Sequence, residues 1–309
     1  MSANPEPEPS LEAGIPLRQG HSSDLEEASA QRFLLRQSFH YRYERPIASL
    51  EQRLIVVPPS RHGSQTRKSH RISVVGAEGA ASWSRDSFAN VIAKVRVPTV
   101  SESVEFRVEV MIERSAPTPI RLPVDALGGP RYLNPTLLTT ADKAISSTAQ
   151  DAVGALSPGL EAAERLCETV HRQLAYRKGT TGVATTAAES FAIGSGVCQD
   201  HAHLMIAMCR AIGIPARYVS GHMLGEGATH AWVEALVPDA DGAVAVPFDP
   251  CHGRRPGSSY VTISVGRDYE DVAPTSGTYH GSVSNQLTSA TRLELLHPST
   301  GGVAERKAP

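Results

Sequence analysis

The stretch GVCQDHAHLMIAMCRAIGIPARYVSGH, residues 196–222, decides the fold. Its apolar residues recur three and four apart, with Cys198, Ala202, Met205, Cys209 and Ile212 in one stripe. That spacing marks a helix with one face turned to a core. Gly213 and Pro215 supply the stop, so the helix is predicted over 197–212. ARYVSGHM then reads as a strand. Cys198 stands at the helix start, where unsatisfied N–H groups and the positive end of the dipole favour a thiolate. Ser195 is a candidate cap, and Gly196 leaves room for a substrate chain to approach. Cys209, deeper on the stripe, is expected to be inert. A cysteine at a helix start is as compatible with packing as with catalysis until a partner is found.

The partner comes from the next segment. HAWVEALVPDADGAVAVPFDP reads as two strands joined by a turn at Pro238–Gly242. With the loop centred between Asp239 and Ala240, His230 and Asp249 fall directly opposite each other. Cross-strand neighbours of that kind have Cβ atoms about 4.5–5.5 Å apart, the reach a carboxylate needs to hold an imidazole in one tautomer. Pro247 cannot donate in a ladder, which implies an edge or a bulge there. The alternative, a metal held by Cys198, His201, His203 and Cys209 or His222, has no C-x-x-C or H-E-x-x-H spacing behind it. On a helix, residues 198 and 201 share a face and 203 does not. No metal is expected.

Working outward, residues 33–115 read as strands. Val104, Phe106, Val108, Val110 and Ile112 alternate with Glu105, Arg107, Glu109 and Glu113, the pattern of an antiparallel sheet with one wet face. RLIVVPP and RISVVG are further strands, separated by a polar loop, SRHGSQTRKSH, whose Arg61, Arg67, Lys68 and Arg71 read as a solvated basic loop. The Pro- and Gly-rich stretch 116–136 reads as a linker. Beyond it, Leu160, Ala163, Cys167, Val170 and Leu174 form a second helical stripe that places Cys167 in the core. Residues 285–296 look like a final strand. The expected division is an acidic tail (1–30), a β domain (31–115), a linker (116–136), a second domain (137–296) and a tail (297–309).

The chain has 309 residues, 40% hydrophobic and 20% charged, with net charge −2. This composition gives no electrostatic reason to expect nucleic acid or an anionic membrane as a partner. The first 31 residues hold Glu6, Glu8, Glu12, Asp24, Glu26 and Glu27 against Arg18. They lack the basic start and apolar segment of a secretory signal and read as disordered. No paired spacing links the four cysteines, so a reduced cytosolic setting is expected.

Together, GVCQDHAHLMIAMCRAIGIPARYVSGH, THAWVEALVP and FDP resemble the transglutaminase-like superfamily. FHYRYERPIASLEQRLIVVPP and DSFANVIAKVRVP are similar to the bacterial N-terminal region that precedes this domain in one subfamily, and VGRDYEDVAPTSGTYHG resembles its C-terminal signature. The resemblance spans roughly residues 33–296. It implies an α+β fold, an N-terminal antiparallel β domain followed by a papain-like transglutaminase core. It also implies a triad of Cys198 as nucleophile, His230 as base and acid, and Asp249 as orienter. His201, His222 and Cys251 depart from the family pattern, and Cys251 lies near enough to Asp249 for a redox contact with Cys198 to be conceivable.

The chemistry expected is acyl transfer on an amide through a Cys198 thioester, with backbone N–H groups near the helix start holding the oxyanion. Gly196, Gln199 and Trp232 are the candidates for substrate and oxyanion contacts. The substrate expected is a peptide or another amide-bearing molecule. Hydrolysis is favoured, with glutamine-to-amine cross-linking as the alternative and a non-catalytic binding module as another. No cofactor is expected, since neither a calcium loop nor a phosphate-binding glycine loop is present. The sequence does not reveal the oligomeric state.

Overall fold

The computed structural model describes residues 30–296 apart from Asp241 and Ser282. The expected tails thus lie outside the described residues but for Ala30.

The period-two segments form a β-sandwich. Strands β1 (Gln31–Tyr43), β2 (Ile47–Val57), β3 (Arg61–His62), β4 (Gln65–Val75), β5 (Ala80–Arg85), β6 (Val91–Val100) and β7 (Ser103–Arg114) supply most of it. The expected polar loop at 60–70 is instead largely the β3–β4 hairpin, turned at Gly63 and Ser64, with β4 continuing along β7. Val104, Phe106, Val108, Val110 and Ile112 point inward and are fully buried beside Phe33, Leu35, Leu54 and Val95, while Glu109 and Arg107 face water with Arg36 and Glu105 as partners.

The sandwich is completed by the far end of the chain. β15 (Thr275–His280) pairs with β2, and β16 (Asn285–Leu296) runs the whole length of β1. The sheet orders are β16-β1-β7-β4-β3 and β15-β2-β6-β5. The expected boundary at 137–296 is corrected accordingly: the second unit is inserted between β7 and β15, and the last two strands return to the first. Long-range pairing of this kind leaves no local trace in sequence.

The inserted unit begins inside the expected linker. β8 (Ile120–Leu122) is an edge strand of a second five-stranded sheet, order β14-β11-β12-β13-β8. Its other strands are β11 (Ala216–Met223), β12 (His230–Asp239), β13 (Gly242–Phe248) and β14 (Tyr260–Gly266). After a short α1 (Pro130–Leu133), helices α2 (Lys143–Val153), α3 (Leu160–Gln173), α4 (Ala187–Ile193) and α5 (Cys198–Ala211) share one core with Ala231, Val233 and Ala235 of β12. In α3 the buried face is Ala162, Ala163, Leu166, Cys167 and Val170, and Leu160 is exposed. A pair of short parallel strands, β9 (Ala175–Tyr176) and β10 (Ser195–Gly196), leads into α5. After β14, a one-turn α6 (Tyr269–Val272) leads back toward the sandwich.

Helix α5 is buried on every side, from Gln199 to Arg210, rather than along one stripe. At its end, Arg210 donates to the carbonyls of Tyr132, Ala216 and Arg267 and to Thr139 Oγ1. The open edge of β14 is covered by side-chain amides from the sandwich. Gln65 exchanges hydrogen bonds with the main chain of Thr262 (2.7 and 3.0 Å), and Asn90 with that of Val265 (2.7 and 2.9 Å). These amides satisfy an edge that would otherwise be free to pair with another chain. They also fix the two units to each other, helped by Val261 and Ile263 packing into the sandwich core.

Candidate active site

Helix α5 starts on Cys198, with Val197 as N-cap. The cap is not made by Ser195, which is buried in β10. It is made from inside the helix: the Asp200 carboxylate accepts from Val197 N–H at 2.7 Å and from Thr181 Oγ1 at 2.7 Å. Gly196 has a different purpose from the one expected. It is buried, and a Cβ there would lie 2.5 Å from Asp200 Oδ2, so the missing side chain admits the carboxylate rather than a substrate. Gln199 is likewise engaged, donating to Val183 O at 3.0 Å. Cys198 itself is half-buried at the exposed end of the helix.

His230 opens β12. Its Nε2 donates to Asp249 Oδ2 at 2.8 Å, and Cys198 lies near enough to raise the proton affinity of the ring together with Asp249. The expected register is corrected. Strand β12 pairs Val233 with Phe248 and Asp239 with Gly242, two residues away from the alignment that puts His230 opposite Asp249. Pro238 and Asp239 continue the strand instead of opening the loop. Because strand faces repeat every two residues, a slip of two keeps both side chains on one face and makes the contact diagonal. Pro247 lies opposite Glu234, beyond the three residues of β13 that β8 covers, and so on a free edge as expected.

Asp249 is fully buried and unusually well supplied with donors. Besides His230, Oδ2 accepts from His252 Nδ1 (2.8 Å) and Tyr260 Oη (2.7 Å), while Oδ1 accepts from the N–H groups of Cys251 (3.0 Å) and His252 (3.2 Å). Burial alone would raise its pKa, but the hydrogen bonds and charge of His230, with Tyr260 and His252, hold the carboxyl well below the usual range. For His230, burial works against the imidazolium, and Asp249 and Cys198 outweigh it, holding the ring up at about 10. Glu226 closes the other side, with Oε2 3.6 Å from His230 Nδ1 and Oε1 3.8 Å from His252 Nε2.

Trp232 is a wall behind the site. It is buried among Val219, Met223, Tyr260 and Val265, with its ring 6.2 Å from that of His230. Gly221, paired with His230, makes room for it: a Cβ there would meet the Trp232 ring at 2.4 Å. Beyond Trp232 and Tyr260 lies a cavity of about 770 Å³ between the sandwich and the sheet, lined also by His62, Arg114 and Glu234. Neither Cys198 nor His230 is among its lining residues.

The other cysteines and histidines have distinct environments. Burial pushes the Cys167 and Cys209 thiols up to about 12. Burial, then the charges of Cys198, Asp249 and Glu226, pushes Cys251 up as well. Both ring nitrogens of His201 face main-chain carbonyls, Val197 O and Leu174 O. His203 accepts from Tyr269 N–H, and burial lowers its pKa to about 3. Burial lowers His222 to about 4. Among the described residues, the alternative metal set, Cys198, His201, His203 and Cys209 or His222, is not gathered at one point. A different trio, His230, Asp249 and His252, brings its ligand atoms within 4.8 Å of one another, but each imidazole already donates to the carboxylate.

The sequence reading missed His252, Tyr260 and Glu226. His252 was the most legible, since a donor three residues after an aspartate closes a local turn onto its carboxylate. Tyr260 arrives from a strand whose neighbours only the folded sheet reveals.

A helix-start cysteine packed on an antiparallel sheet that presents a histidine and an aspartate defines a papain-like cysteine enzyme. Residues 146–250 match the transglutaminase-like superfamily, and residues 33–113 match the bacterial transglutaminase-like N-terminal region. The chain belongs to that superfamily. Uncharacterized proteins of Mycobacterium tuberculosis and Mycobacterium bovis are each 27% identical over 297 residues, covering 86% of this chain and 93% of their own. An uncharacterized Mycobacterium leprae protein is 36% identical over 134 residues, covering 40% of this chain and 46% of its own. A crystal structure from Cytophaga hutchinsonii, provisionally described as a cysteine protease, superimposes with TM-score 0.71 at 21% identity, covering 88% of this chain and 92% of that one. It shares the fold.

Proposed function

We propose that the protein hydrolyses amide bonds through a thioester on Cys198, acting as a cysteine peptidase or amidase. The observation that carries this reading is the position of His230, held by Asp249 through Nε2 and coupled electrostatically to Cys198 at the start of α5. Cys198 passes its proton to His230, and the sulfur attacks the amide carbonyl, forming the S–C bond. His230 returns the proton to the nitrogen as the C–N bond breaks, releasing the amine. Water then enters, His230 takes one of its protons, and the thioester opens to a carboxylic acid and free thiol. In this reading the first N–H groups of α5, which have no intrahelical acceptors, hold the oxyanion. Asp249 supports the imidazolium formed in each half of the cycle.

The test is mass spectrometry of the reduced protein incubated with a mixed peptide library, with and without a primary amine. Shorter peptides ending in free carboxylates, absent with Cys198→Ala, are expected in both arms. Products carrying the added amine would assign the second half-reaction to transfer. No turnover of any amide in either arm contradicts the proposal.

A further inference from the structure

The sandwich carries a feature that the chemistry at Cys198 does not use. β4 lies beside only two residues of β3, and β5 is the last strand of the other sheet, so both present open edges on the same side. Between them is a cavity of about 290 Å³ lined by Arg67, His70, Trp83, Ser84, Arg85 and Val91. Elsewhere on the sandwich, Arg32, Arg36, Arg42, Arg96 and Arg107 each face a glutamate. Arg67 and Arg85 do not. Arg67 Nη1 is buried and has no hydrogen-bond partner, and Arg85 Nη1 donates to the Ala89 carbonyl. The adjacent acid, Asp86, spends both oxygens inside its own turn on Phe88 and Asn90.

Like charges are thus held together without a counterion among the described residues. Burial, and then the Arg85 charge, lowers the pKa of Arg67, and burial followed by the Arg67 charge lowers that of His70. Trp83, 46% exposed as a residue, stands beside them with its ring edge-on to that of His70 at 4.9 Å. A buried donor without an acceptor calls for a missing partner. Guanidinium forks match a carboxylate or a phosphate in two-point contact, and the exposed indole face suits an apolar group attached to the anion.

We infer that Arg67 and Arg85, with His70, Ser84 and Trp83, form a binding site for an anion, a carboxylate or phosphate, carried on an apolar or aromatic group. The site belongs to the sandwich and does not depend on the proposed hydrolysis.

Tryptophan fluorescence tests it directly, because Trp83 is half-exposed and Trp232 is buried. The full chain is titrated with phenyl phosphate, benzoate, inorganic phosphate and, as a cationic control, benzylammonium, all at constant ionic strength. A saturable change with phenyl phosphate or benzoate is expected, and none with benzylammonium. Tighter binding of phenyl phosphate assigns the phosphate, and tighter binding of benzoate the carboxylate. Arg67→Gln and Arg85→Gln should each weaken binding by about tenfold, with an unchanged circular dichroism spectrum. The thermal midpoint should not fall, since each variant relieves a like-charge contact. Non-saturable responses to every anion, an equal response to benzylammonium, or undiminished binding in the double variant overturns the assignment.

Discussion

Asparagine in place of Asp249 removes one charge with almost no change of shape. The carboxylate is fully buried and receives three side-chain donors on Oδ2 and two main-chain donors on Oδ1. An amide must turn its NH₂ group toward one of these sets, so either orientation faces donor against donor. The expected loss of stability is about 2–4 kcal/mol. The effect on the histidine follows from its raised affinity for protons. The rise from 6.5 to about 10 is worth roughly 5 kcal/mol at about 1.4 kcal/mol per pH unit. Asp249 and Cys198 together lift the ring against the cost of burial, so loss of Asp249 lowers that proton affinity and should slow any rate that depends on the imidazolium by about tenfold or more. The assay is the pH dependence of Cys198 alkylation by iodoacetamide, beside denaturant melts. The sign is fixed by the direction of each shift. The raised His230 stabilises fully below about 6.5 and loses that contribution as pH rises through about 10. The depressed Asp249 stabilises above the ordinary carboxyl value of about 3.9 and loses it as pH falls. Asp249→Asn should flatten both limbs. A wild-type alkylation profile in this variant would refute the argument.

Further outcomes follow from the same contacts. Tyr260→Phe removes one donor from Asp249 and the acceptor of Arg254 Nε, so the proposed hydrolysis should fall about three- to tenfold with a loss of about 1–2 kcal/mol in a thermal melt. Glu234→Gln leaves buried Arg217 without its carboxylate and should cost about 3–5 kcal/mol in urea unfolding. Burial opposes ionised Glu234, yet Arg217 and His62 hold it down at about 2. Its contribution is therefore present above about 4.5 and lost as pH falls toward 2, a slope that acid-titrated melts should show only in the wild type. Gly196→Ala drives a methyl into Asp200 and should cost about 1–3 kcal/mol by thermal denaturation, slowing Cys198 alkylation because the helix start moves.

Much of the site was legible because its signals are local. The spacing through Cys198, Ala202, Met205 and Cys209 sets helix α5, observed over Cys198–Ala211, and the alternation in 103–114 sets β7. His230 and Asp249 were found together even though the alignment was displaced by two, since strand periodicity preserved their face. The remainder depended on contacts between distant segments. Nothing near residue 285 announces that β16 will lie along β1, and the Pro- and Gly-rich stretch that holds β8 reads as a linker until β13 is beside it. Gly196 looked like an open approach because only the folded helix shows Asp200 occupying that space.

The central claim is that Cys198 is an acyl-accepting nucleophile served by His230, and acylation itself can be weighed. The reduced protein is mixed with p-nitrophenyl acetate at near-neutral pH, quenched in acid, digested and analysed by mass spectrometry. The acetyl group should be found on the Cys198 peptide, ahead of Cys167, Cys209 and Cys251, whose thiols are all pushed up. Acylation should slow by about two orders of magnitude in His230→Ala and vanish from that peptide in Cys198→Ala. Acetylation spread evenly over the four cysteines, or a Cys198 rate indifferent to His230, would contradict the account.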